Sequence, residues 1–150
     1  MDELRELYQE VILDHGRTPR NFGRIEGTAL HADGHNPLCG DRLTVFLEVE
    51  GGKVANVRFD GSGCAISVAS ASLMSEAVVG QSLEIVERMF KDFQALVTGK
   101  LDPAEAASRL GKLAVFAGVR DFPVRIKCAT LAWHTLRAAE SGQHEDCSTE

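Results

Sequence analysis

The chain has 150 residues, 44% hydrophobic and 25% charged, which suits one ordinary buried core and fits a globular rather than a disordered chain. Its net charge of −6 excludes a general basic surface for nucleic acid or anionic lipid. No apolar run approaches the roughly 18 residues of a membrane-spanning helix, so neither nucleic acid nor membrane is expected as a partner.

Met1 to Glu6 shows no basic stretch followed by an apolar one, so no signal peptide is expected and the cytoplasm is the default location. Asp2 is placed to cap a first helix to about Asp14, with Leu4, Leu7, Tyr8, Val11 and Ile12 on one face. The turn formers from His15 to Gly23 predict an ordered loop. A weak strand is expected over Thr28 to His35. Arg42 to Glu50 alternates with Leu43, Val45, Leu47 and Val49 on one side. Gly51-Gly52 makes a turn, and Lys53 to Asp60 alternates again, with Val54, Asn56 and Arg58 against Ala55, Val57 and Phe59. This antiparallel hairpin needs a covering layer.

Ala65 to Val79 is small, apolar and rich in serine, and predicts a helix packed closely on the sheet. Ser82 is placed to cap a helix to about Val97, with Leu83, Val86, Phe90, Phe93 and Val97 inward. Asp102-Pro103 is a cap and first-turn pair for a short helix to about Leu110. A last helix is expected from near Phe122-Pro123 to before Gly142. The polar stretch 143–150 reads as a flexible tail. The fold class is α+β: a small antiparallel sheet of about three strands covered by helices, with a helical C-terminal half, forming one domain over 1–142.

Four cysteines in a reducing compartment read as metal ligands or nucleophiles rather than disulfides. Cys39 precedes a strand in Asn36-Pro37-Leu38-Cys39-Gly40-Asp41. Cys64 stands between a strand and a helix in Gly61-Ser62-Gly63-Cys64-Ala65, and Cys128 lies near the start of the last helix. If the hairpin forms, the first two share an edge of the sheet, and residue 41 shares a face with residue 39. Cys39, Asp41, Cys64 and Cys128 then make a tetrahedral site for zinc or iron–sulfur chemistry. Arg125 and Lys127 are placed to offset its negative charge, and a helix start at Cys64 favours a thiolate. Packing of free cysteines as small hydrophobes is the other reading. Without a CxxC pair, spacing does not choose between them.

The segments Asn36-Pro37-x-Cys39-Gly40-Asp41, Gly63-Cys64-Ala65-Ile66-Ser67-x-Ala69-Ser70-x-Ser72 and Arg125-x-x-Cys128-x-x-Leu131 resemble the IscU/NifU N-terminal family. Tyr8-x-x-Val11-Ile12-x-Asp14-His15-x-x-x-Pro19-Arg20-Asn21-x-Gly23 resembles its opening segment, and the match reaches about Ala139. The resemblance implies iron–sulfur cluster assembly, with Cys39, Asp41, Cys64 and Cys128 around the metal. Lys127 stands where IscU proteins have a histidine, and the stretch between Cys64 and Cys128 is longer, near Lys100 to Phe116. Both features resemble the SufU branch.

That branch implies bound Zn2+ and a sulfur acceptor, sulfurtransferase-like, for a SufS-type cysteine desulfurase. Cys39 would leave the zinc as a partner histidine replaces it, then take persulfide sulfur, and Arg125 would support the displaced thiolate. Two alternatives stand beside this. One is a non-catalytic scaffold for a transient [2Fe–2S] cluster or iron on the same residues, serving downstream cluster-assembly or acceptor proteins. The other is a structural zinc module that binds a partner.

Other residues are assigned plainer roles. Cys147 and His144 belong to the tail. His31 and His35 read as surface residues or neighbours of the ligands, and His15 as a loop anchor. Trp133 reads as packing, as do Ser67, Ser70 and Ser72. Gly61-Ser62-Gly63 lacks the lysine and further glycine of a phosphate loop.

Overall fold

The computed structural model describes residues 2–27, 30–142 and 147–148. The chain opens with α1 (Asp2–Arg17), one turn longer than the sequence predicts. The added turn follows from His15, which is buried against the next helix rather than exposed in a loop. Tyr8, Val11 and Ile12 pack on the core from α1. The predicted cap at Asp2 and the side chains of Leu4 and Leu7 fall outside the described side chains.

Three strands follow: β1 (Leu30–Asn36), β2 (Asp41–Glu50) and β3 (Lys53–Ser62). Thr28, the predicted start of β1, lies outside the described residues. β2 pairs antiparallel with both neighbours. The Gly51-Gly52 turn has φ of +59° and +76°, which suits two glycines and few other residues.

The predicted alternation of β3 holds only in part. The register shifts at Glu48/Val49, so Glu48 faces Asn56 while Val49 faces Val54, and Ala55 is left over. Val54, Val57 and Phe59 are therefore buried and Ala55 is exposed.

Two of the expected caps, Ser82 and Asp102, are observed. α2 (Ala65–Val78) starts from Cys64, and α3 (Leu83–Val97) from Ser82, whose Oγ accepts the Ile85 N–H at 3.2 Å. The carboxylate of Asp102 caps α4 (Pro103–Leu110), and α5 covers Pro123–Glu140. Between α4 and α5 lies a 3-10 helix (Gly111–Asp121) that the sequence pattern does not announce. It places Leu113, Ala114, Val115, Phe116 and Val119 in the core.

α2 and α5 cover one face of the sheet, and α1 packs on α2. α3, α4 and the 3-10 helix pack on one another and on this helical layer, where Trp133 of α5 stacks on Phe93 of α3 at 5.2 Å between centroids. Of the predicted tail, 143–146 and 149–150, His144 included, lie outside the described residues. The backbone of β4 (Cys147–Ser148) runs parallel to β1 opposite Gly34 and His35 and gives the sheet order β3-β2-β1-β4.

Serine lets α2 approach its neighbours. Ser70 Oγ donates to the Ala129 carbonyl of α5 at 2.6 Å. Ser72 Oγ accepts the Arg20 N–H at 2.8 Å and lies 2.7 Å from His15 Nδ1, tying α1 and the following loop to α2. Burial lowers the pKa of His15, with the charge of Arg20 acting the same way. The unfolded chain then binds more protons than the folded one below the ordinary histidine pKa, so stability falls on acidification. Urea unfolding at pH 7.5 and 5.5 is expected to show lower stability at pH 5.5, and His15→Gln is expected to reduce that difference.

Gly34 sets the distance between α5 and β1. A Cβ there would collide with Thr135 Oγ1 and lie 3.2 Å from Leu131 Cδ1. Thr135 Oγ1 donates to the Leu131 carbonyl at 2.7 Å, so the threonine cannot turn away freely. Gly34→Ala is expected to cost about 1–3 kcal/mol in chemical denaturation, and adding Thr135→Ala is expected to recover part of that loss.

Candidate metal centre

One end of the sheet carries the polar and sulfur groups. β1 and β2 form a hairpin whose last pair is Asn36 and Asp41. The loop between them starts as a turn: the Cys39 N–H donates to the Asn36 carbonyl and the Leu38 N–H to Asn36 Oδ1, both at 3.3 Å. Asparagine before proline suits this turn, because its side chain bonds the backbone two residues on and proline presets φ. Gly40 follows with φ +70° and returns the chain to β2. Cys39 is carried exposed on this loop.

β3 ends beside the start of β2 and leads directly into α2. Cys64 is the N-cap of α2, and its Sγ accepts the Ser67 N–H at 3.4 Å. Cys128 lies in the second turn of α5 and is 1% exposed. Asp41, 0% exposed, stands among these elements.

Cys39, Asp41 and Cys128 offer ligand atoms that all lie within 4.8 Å of one another. The sulfurs of Cys128 and Cys39 are 3.1 Å apart. Cys64 stands at the edge of this trio, its Sγ 4.0 Å from Asp41 Oδ2 and its thiol neighbouring that of Cys128. All four residues singled out in the sequence therefore meet at one end of the sheet, three of them tightly.

Burial pushes the thiol pKa of Cys64 up, opposed by the Ser67 N–H. Burial also raises that of Cys128, and its hydrogen bonds with Cys39 and Asp41 add to the rise. Both shifts favour the protonated thiols, whereas a bound cation would favour the thiolates and find three sulfurs and a carboxylate at this end of the sheet. That donor set fits zinc, which favours cysteine sulfur and accepts aspartate oxygen, and also fits iron–sulfur chemistry.

The Asp41 carboxylate is held by neutral donors. Oδ1 accepts the Cys64 N–H at 2.8 Å and Oδ2 accepts from Asn36 Nδ2 at 3.4 Å. Among the described residues no arginine or lysine forms a salt bridge with it. Arg125 instead lies 4.4 Å from the centre of the exposed Phe122 ring. It helps line a cavity of about 560 Å3 that opens onto Cys39, Cys64 and Cys128, together with Ile66, Phe122 and Val124. Lys127 is half-buried.

His31 stacks on Phe46 at 6.1 Å, away from the ligand cluster, and the backbone of His35 pairs with Ser148. The side chain of Cys147 lies outside the described side chains. Two residues escaped the sequence reading. Asn36 touches both Asp41 and Cys128, through Nδ2 at 3.4 Å to each. Gly63 leaves room for Asp41: a Cβ there would sit 2.6 Å from Oδ1. Both stand inside the motifs quoted above, Gly63 directly before Cys64 and Asn36 three residues before Cys39, and that was the signal available.

A family model described as NifU-like N terminal domain matches residues 7–139. A relative from Bacillus subtilis described as zinc-dependent sulfurtransferase SufU is 41% identical over 89% of this chain and 88% of its own. The iron–sulfur cluster assembly scaffold protein IscU of Streptococcus pyogenes is 37% identical over 93% and 86%. The crystal structure of an iron–sulfur cluster assembly scaffold protein for the SUF system from Fervidobacterium islandicum superposes with a TM-score of 0.80 at 34% identity. That superposition covers 89% of this chain and 96% of the other.

Gly63→Ala is expected to push the Asp41 carboxylate from its place and weaken metal binding at this site by roughly tenfold or more, as loss of a ligand's support does. Competition with a chromophoric chelator measures this.

Proposed function

The chain belongs to the NifU-like N-terminal domain family, in its SufU-like branch, and from that premise we propose that it serves iron–sulfur cluster assembly by holding zinc and accepting sulfur on Cys39 from a SufS-type cysteine desulfurase. The observation that carries this reading is unequal exposure around one carboxylate. Cys39 is exposed, Cys64 half-buried and Cys128 buried, yet each has its sulfur near Asp41. Similarity to a zinc-dependent sulfurtransferase supports it.

Zinc, when bound, would neutralise its ligand thiolates and keep them deprotonated near neutral pH. Asp41, Cys64 and Cys128 sit on the ends of strands and helices and are the ligands that stay. Cys39 sits on a loop and is the ligand that can be released. Its thiolate attacks the outer sulfur of the desulfurase's cysteine persulfide. A bond forms between that sulfur and Cys39 Sγ, the bond joining the two partner sulfurs breaks, and its electron pair leaves on the desulfurase cysteine as thiolate. Cys39 then carries the persulfide.

Arg125, on the wall of the same cavity, supports the released thiolate by its charge. Exposed Leu38, Phe122 and Val124 give the opening an apolar rim that a docked partner would cover, keeping water from the persulfide. A reducing cytoplasmic setting keeps the thiols available.

A second reading has the same four residues holding a [2Fe–2S] cluster as cargo, and the similarity to scaffold proteins favours it. Lys127, directly before Cys128 where IscU proteins have a histidine, favours the acceptor, since the imidazole nitrogen donor of that position is missing, although the four residues could still hold a cluster. One zinc per chain in protein purified without added metal supports the acceptor, and a brown iron–sulfur protein supports the scaffold.

Cys39→Ser is expected to leave the fold intact, because the side chain is exposed. It is expected to reduce stimulation of the desulfurase to the level of the desulfurase alone. Full stimulation by this variant would remove Cys39 as acceptor.

A further inference from the structure

Asn36 carries a job that the ligands do not. It is 0% exposed and uses both ends of its amide and its own carbonyl. Nδ2 reaches Asp41 Oδ2 and Cys128 Sγ, each at 3.4 Å. Oδ1 accepts the Leu38 N–H and the backbone carbonyl accepts the Cys39 N–H, each at 3.3 Å. One residue thus grips two buried ligands with one hand and the loop of the exposed ligand with the other.

We propose that Asn36 is a positioning residue that couples the buried ligands Asp41 and Cys128 to the loop carrying Cys39, keeping the metal in place while Cys39 is free. This rests on the zinc-dependent acceptor reading above.

The residue type follows from the charges around it. The cluster is anionic when its sulfurs are deprotonated, and the amide supplies a donor to carboxylate and sulfur without adding charge. An aspartate would add another negative charge. A lysine would bring a cation with no acceptor for the Leu38 N–H, and a histidine would be a competing ligand.

Two near-isosteric variants separate the two grips. Asn36→Asp keeps an oxygen for the Leu38 N–H but loses the donor to Asp41 and Cys128. Asn36→Leu loses both side-chain grips and keeps only the backbone bond from the Cys39 N–H. Zinc affinity is measured by chelator competition, and accessibility of Cys39 by its alkylation rate in zinc-loaded protein at matched occupancy. Zinc affinity is expected to fall at least about tenfold in both variants, the weight of one hydrogen bond to an ionised group. Cys39 alkylation is expected to rise at least about fivefold in Asn36→Leu, as expected for a lost bond of about 1 kcal/mol, and to stay close to wild type in Asn36→Asp.

A purely structural asparagine would lower the melting temperature of the metal-free protein and leave zinc affinity as it was. That result, or equal alkylation in the two variants, overturns the proposal. If Asn36→Leu does not fold, the zinc affinity of Asn36→Asp decides alone. Wild-type protein that binds no zinc would instead sink the acceptor reading itself. Tight zinc binding by wild type and both variants alike would sink only the clamp.

Discussion

Burying an ionised carboxylate costs several kcal/mol unless hydrogen bonds or opposite charge compensate it, and Asp41 is buried without any basic side chain in salt-bridge contact among the described residues. Its compensation comes from the Cys64 N–H and the Asn36 amide, with a cation as the natural remainder. Each donor belongs to a different part of the fold. The Cys64 N–H is available because α2 starts there, and Asn36 faces Asp41 because β1 and β2 are in register. Gly63 is the residue at that point that leaves room for the carboxylate.

The same arrangement divides the sulfurs by mobility. Cys128 is fixed by α5, whose approach to β1 depends on the bare backbone of Gly34. Cys64 is fixed as a helix cap. Cys39 hangs on a short exposed loop, held by its N–H to the Asn36 carbonyl and by the contact of its sulfur with Cys128 Sγ at 3.1 Å. Two sulfurs are thus part of the framework and one is part of its surface, so loss of that one ligand need not disturb the packing beneath the others.

Most of this architecture was legible in local chemistry. Alternating apolar residues and Gly51-Gly52 gave away the hairpin, and Ser82 and Asp102 marked helix starts that the structure keeps. The slip at Ala55 was not legible, because a bulge changes the phase of burial without any composition signal. Nor was the 3-10 helix, since its burial of Val115 and Phe116 comes from tertiary packing rather than from a period. At the site, the cysteines and Asp41 stood out by residue type. Asn36 and Gly63 did not, because their importance lies in one cross-strand pair and one missing methyl group, which exist only after the strands have paired.

On the proposed acceptor reading, charge gives the reason one sulfur would be given up. Three thiolates and a carboxylate around a divalent ion would leave a surplus of two negative charges, and every further anion in the set is attracted less than the last. At the contact distances of such a site, repulsion between like charges is worth several kcal/mol even at an effective dielectric constant near 20. A lysine or arginine bonded to the ligands would cancel that repulsion and lock all four in place. Arg125 stands instead against Phe122 at the cavity wall, and the neutral amide of Asn36 takes the inner position. On that reading the buried pair of Asp41 and Cys128 is supported without neutralising the surplus, and the repulsion would fall on the ligand least held by packing, Cys39.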